Sequence, residues 1–134
     1  MLSVFPDLLA YGLIAPVLLR LALGVTFLRF GWGKLRGDKE KKASFFEALG
    51  LRPGKHYCLA LALIELAVGI LLVVGLYTQV AALVAAIISG VAYHLKAKHS
   101  AHMENSRSTF FLLTIIGISL LFLGAGFWAF DWPL

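Results

Sequence analysis

The sequence predicts an all-α integral membrane protein: a four-helix transmembrane bundle, both termini extracytoplasmic, with a short interfacial helix in the first cytoplasmic loop. Three observations predict it. Apolar residues make up 60% of the 134-residue chain and charged residues only 14%, at a mean hydropathy of +0.89. A soluble domain of this size cannot bury that much apolar surface. The apolar residues fall into runs at about 12–33, 57–77, 79–95 and 108–130, close to the ~20 residues a helix needs to cross a bilayer. The basic residues are segregated. Seven Lys or Arg lie between Lys34 and Lys55 and three more between Lys96 and Arg107, ten of the 12 in the chain. Such basic loops stay cytoplasmic, and the net charge of +5 follows from this asymmetry. It does not indicate nucleic-acid binding. The whole chain, 1–134, reads as one domain in a plasma membrane, and the absence of a basic residue before Arg20 argues against a removable signal peptide.

The first run is the costly one. It carries Arg20 and Arg29, each worth about +2.5 to +3.5 kcal/mol at mid-membrane. Its eleven Leu, Ile, Val and Phe residues return roughly −3 to −7 kcal/mol. This span is marginal alone, so each arginine needs a partner or a route to water. With the inner boundary near Gly33, Arg29 lies about 6 Å deep and Arg20 about 20 Å deep. The nine-residue spacing puts them on opposite faces. Pro16 fits either an early helical position, with a separate short turn before it, or a kink. Gly24 and Gly31 share the Arg20 stripe.

The loop that follows contains ASFFEALGL, residues 43–51. Phe45, Phe46, Leu49 and Leu51 fall on one side of a short helix that Gly50 and Pro53 stop. It reads either as an interfacial helix on the inner leaflet or as a helix tucked under the bundle.

Glu65 is the one acidic residue within the second run, about 12 Å from the inner surface. Side chains lean toward a helix's N-terminus, which brings Glu65 and Arg29 toward each other. Arg29 or Lys34 is therefore the expected partner, and both are candidates for a structural ion pair. Arg20 leans the other way, toward Asp131 and Asp7. Gly69 sits one turn beyond Glu65. Ionisable groups at such depth either hold helices together or handle a ligand or a proton, so Arg20, Glu65, His94 and Asp131 are the candidates for ligand binding or proton handling. No catalytic residue can be named.

The third run holds Gln79, Ser89, Gly90 and His94 among small residues, and should pack against its neighbours. His94, His99, His102 and Glu104 crowd its end, but their spacing matches no metal-site template, so no metal site is assigned. Haem is disfavoured because no two histidines face each other at depth. Cys58 is the single cysteine, so a redox role would need a bound cofactor or a partner protein. The fourth run ends in Gly124 and Gly126, which join Gly24, Gly31 and Gly69 as candidate helix-packing glycines. Trp32, Tyr57, Tyr77, Tyr93, Trp128 and Trp132 fall near span ends, where interfacial aromatics belong.

Taken in order, several short motifs resemble the DoxX family of small bacterial and archaeal membrane proteins. They are Arg20-Leu21 with Gly24, Gly31-x-Gly33-Lys34-Leu35, FFEALGL at 45–51, and Glu65-Leu66 with Gly69. Gly75-Leu76-Tyr77-Thr78, His94-Leu95 and the segment Gly124 to Asp131 complete the set. Arg29 and Gln79 depart from it, standing where an apolar or aromatic residue and an arginine are expected. The resemblance implies a four-helix membrane bundle and a link to quinone-linked respiratory and redox chemistry. Two functions follow as expectations. One is an accessory or quinone-interacting subunit of a membrane redox system, with quinone as the candidate cofactor and no catalysis by the chain alone. The other is a non-catalytic scaffold or assembly factor whose basic cytoplasmic loops recruit a protein partner. Membrane lipid is a partner in either case. Oligomerisation is left open, and a transport path would require it.

Overall fold

A computed structural model describes residues 5–37, 39–100 and 105–131. Among them every regular element is helical. A 3-10 turn, Pro6–Tyr11, precedes α1 (Ile14–Arg36), α2 (Lys39–Ala48), α3 (Gly54–Val74), α4 (Thr78–Lys98) and α5 (Arg107–Leu123). Three helices, α1, α3 and α4, are long and apolar enough to cross a membrane. At 17 residues, α5 spans about 26 Å and sits at the short limit for a crossing.

The helices pair through small residues. Along α1 the buried side facing α3 runs Arg20, Gly24, Phe27, Gly31, then Lys34, which is partly buried. Along α3 the buried side runs Cys58, Ala62, Glu65, Gly69, Leu72. Both stripes repeat in steps of four and three, the spacing that keeps one helix face on its neighbour. A Cβ on Gly69 would sit 2.9 Å from the Gly24 carbonyl oxygen, and one on Gly31 would sit 2.8 Å from that of Ala62. Only glycine permits backbones this close. Gly117 does the same for α5 against α4, where a Cβ would lie 3.0 Å from the Ala82 carbonyl oxygen. Leu23, Phe27, Leu72, Ala82, Ala85, Leu113 and Leu120 fill the space between. Outward-facing Leu18, Ile64, Ile87 and Leu112 stay exposed, as lipid-facing side chains of a membrane protein should.

The helix ends depart from the sequence-based bounds. α3 stops at Gly75, whose φ of 77° places it in the left-handed region, with the amides of Gly75 and Leu76 both bonded to Leu71 O. α5 stops at Leu123 instead of reaching 130, because Gly124 and Gly126 both have φ of 72°. The described residues that follow, as far as Asp131, fold back over the start of α1, where the Phe127 amide donates to Leu13 O at 3.4 Å. Gly124 therefore ends a helix. It is not a packing glycine, since a Cβ there would meet nothing within 4 Å, whereas one on Gly126 would lie 2.7 Å from Leu13 O.

α2 docks under the bundle. Ala43 is buried against Gly54, and Phe45 and Phe46 are half-buried. Phe45 meets the His99 ring edge-on at 6.1 Å, which ties α2 to the end of α4.

Candidate functional site

Two charged side chains are fully buried among the described residues, Arg20 at 2% exposure and Glu65 at 3%. They lie on facing helices but do not meet.

Glu65 meets Lys34. The Lys34 ammonium donates to both carboxylate oxygens, at 2.8 Å to Oε1 and 2.7 Å to Oε2. It also lies 5.7 Å from the centre of the Phe30 ring. Lys34 occupies the next step of the α1 stripe after Gly31, and its side chain retains 22% exposure. Arg29, the other expected partner, falls between the buried steps of that stripe. It is exposed, and it makes no ion pair among the described residues.

Arg20 is held by backbone, not by a carboxylate. Its Nη1 donates to Ala125 O at 3.1 Å and its Nη2 to Trp128 O at 3.0 Å, while Nε is buried without a partner. A guanidinium fork suits two carbonyls presented side by side. The positive φ of Gly126 and of Trp128 curls the segment so that both carbonyls point inward. Gly75 backs the same site: a Cβ there would run into Arg20 Nη1 and Ala129. None of these carbonyl partners carries a sequence signature.

Asp131 is close enough for its charge to be felt by Arg20, but its own bonds go elsewhere. Oδ1 accepts from the Tyr77 amide at 2.5 Å and Oδ2 from the Thr78 amide at 2.6 Å, while the Asp131 amide donates to Gly75 O at 2.9 Å. The carboxylate thus caps the N-terminus of α4 from across the chain, satisfying amides that a helix start leaves free and favouring its dipole. It also steadies Tyr77 at φ 50°. Beside it, Gln79 Nε2 donates to Leu121 O at 3.0 Å, so Gln79 joins α4 to α5.

Burial pushes the Asp131 carboxyl up, but hydrogen bonds from Thr78 and the Tyr77 amide, together with the Arg20 charge, outweigh it and hold the group below its ordinary range. A carboxyl depressed in the folded state contributes stability above its unfolded pKa, lost as pH falls through the folded value. Relative to the intrinsic exchange rate at each pH, protection of the Tyr77 and Thr78 amides should therefore fall below about pH 4. Asp131→Asn should exchange faster at neutral pH and lose that acid dependence.

Among the described residues, no histidine forms a hydrogen bond or ion pair with Arg20, Glu65 or Asp131. His94 is exposed, its ring 5.7 Å from that of Tyr93. His102, Glu104 and Trp132 lie outside the described residues. Among the described residues no three His, Cys, Asp or Glu side chains converge. Two shallow grooves open on the bundle surface toward its basic end. One, about 410 Å³, is lined by Tyr93, Arg107, Ser108 and Phe111, with the Arg107 guanidinium 4.3 Å from the centre of the Tyr93 ring. The other, about 340 Å³, is lined by Val25, Leu28, Arg29, Trp32 and Leu66.

The family model described as DoxX matches residues 15–98, which carries Arg20, Lys34 and Glu65 but not Asp131. No curated protein and no solved structure matches the chain.

Proposed function

The chain belongs to the DoxX family, and on that premise we propose that it is a multi-pass accessory subunit of a membrane redox system, acting as a scaffold and not catalysing a reaction alone. One observation carries this reading: both charges buried in the bundle are engaged by the protein itself, Glu65 by Lys34 and Arg20 by the Ala125 and Trp128 carbonyls. Groups so engaged join helices and hold a terminal segment. The basic loops and α2 remain at one end of the bundle for a partner protein.

All four long helices cross the membrane in this reading, α5 included. Its basic start and the basic loops face the cytoplasm of a bacterial or archaeal cell, by the usual bias of Lys and Arg, and both termini face outward. A cysteine at Lys39, in a Cys58→Ala background, is expected to stay unlabelled by an impermeant thiol reagent in intact cells and to label after lysis. Labelling in intact cells reverses the topology.

A second reading, a quinone-interacting subunit, is favoured by one observation. The groove at Tyr93 and Phe111 offers aromatic walls beside the hydroxyl of Ser108 and the guanidinium of Arg107, groups suited to a flat ring with carbonyl acceptors. Mass spectrometry of small molecules retained by the purified protein separates the two. The scaffold reading expects no stoichiometric quinone. A quinone retained by the wild type and lost in a folded Ser108→Ala, Arg107→Gln variant overturns it.

A further inference from the structure

We infer that the groove between α1 and α3 at the basic end binds an anionic phospholipid, with Arg29 holding the phosphate and the acyl chains lying along Val25, Leu28 and Leu66. The inference starts from a charge left over. Arg29 lies within a helix long and apolar enough to cross a membrane, yet it is exposed on the outside of the bundle and has neither an ion pair nor a hydrogen bond among the described residues. A guanidinium facing hydrocarbon requires an oxygen-rich anion or water within reach.

The surroundings select the anion. Arg29, Trp32 and Arg36 recur at steps of three and four, so they stack along one face of α1. Arg36 lies two turns nearer the helix end, its guanidinium 5.2 Å from the centre of the Trp32 ring. Trp32 is 55% exposed, where an indole marks the headgroup level. Two cations thus bracket an aromatic at that level, and below them the groove wall is wholly aliphatic. Free phosphate would use the cations and leave the aliphatic wall unused. A zwitterionic lipid would use the wall but bring its own cation to the arginines. An anionic phospholipid matches both halves. The α2 side chains add to the field, with Lys42 Nζ anchored on Gly33 O at 2.6 Å.

The test is native mass spectrometry of the full chain, titrated with phosphatidylglycerol or phosphatidylcholine in the same detergent. Wild type is expected to prefer phosphatidylglycerol, and Arg29→Gln to weaken that lipid about ten-fold, the loss of one charge-assisted bond. Lys39→Gln, which removes an equal charge at the same end but outside the groove, is expected to change binding little. Arg29 is exposed and unpaired, so its variant should melt with wild type, and Arg29→Lys should restore part of the preference if Arg29→Gln proves unstable. Equal losses in Arg29→Gln and Lys39→Gln would reduce the effect to net charge and overturn the site. So would equal binding of the two lipids, or full displacement of phosphatidylglycerol by millimolar inorganic phosphate.

Discussion

Replacing Arg20 by leucine is expected to release the segment from Gly124 to Asp131 while leaving the helices packed. Two charge-assisted bonds tie that segment to α1, at 3.1 and 3.0 Å, each worth about 1.5–3 kcal/mol. Losing about 3 kcal/mol of local closure should speed exchange of the Phe127 and Asp131 amides about 100-fold. Global stability should fall much less. The cation is buried, without a carboxylate in bonding contact and with Nε unpartnered, so removing it also relieves a desolvation cost. Arg20→Lys should restore only part of the closure, since an ammonium on a shorter stem lacks the planar guanidinium fork that spans both carbonyls. Hydrogen exchange resolved by peptide checks this directly. Unchanged protection at Phe127 and Asp131 would mean that the segment is held by something else.

The second large effect is expected from Lys34→Met. It leaves the Glu65 carboxylate, 3% exposed, facing α1 without its counter-ion. Removing one partner of a buried pair typically costs about 3–5 kcal/mol. The reciprocal change, Glu65→Gln, should be milder. Lys34 retains 22% exposure and can swing its head toward water at the helix end. Thermal unfolding in one detergent ranks the two variants. If Lys34→Met melts with wild type, the pair contributes little and Glu65 must be stabilised in another way.

Much of this arrangement is legible in the sequence, and the reasons are physical. Long apolar runs and segregated lysines are compositional, so the helical membrane fold follows from them. The placement of Glu65 against Lys34 is also written there. Arg20, Gly24, Phe27, Gly31 and Lys34 share one face of α1 just as Cys58, Ala62, Glu65, Gly69 and Leu72 share one face of α3. Following that stripe one step past Gly31 distinguishes Lys34 from Arg29, whereas depth and side-chain lean alone do not. The site around Arg20 is different. Its acceptors are main-chain carbonyls of Ala125 and Trp128, which any residue could supply, and their direction depends on left-handed backbone at Gly126 and Trp128. Trp128 gives no local warning of that conformation. Asp131 was recognisable as a charge near Arg20, but its work as a cap on α4 requires knowing that the tail folds back over the Tyr77–Thr78 turn. Arg29 reads in the sequence as a costly charge with Glu65 as a possible partner; in the structure Lys34 takes that partner and Arg29 lies exposed beside a groove.

The measurement that bears most directly on the claim that the buried charges build the bundle is a double-mutant cycle on Lys34 and Glu65. Wild type, Lys34→Met, Glu65→Leu and the double variant would be unfolded under the same conditions. The account predicts that the double variant recovers most of what Lys34→Met loses, with a coupling of about 2 kcal/mol or more, because a buried pair replaced by apolar groups is often neutral. Additive losses, leaving the double variant less stable than either single one, would contradict it and return Glu65 to the search for a bound ligand.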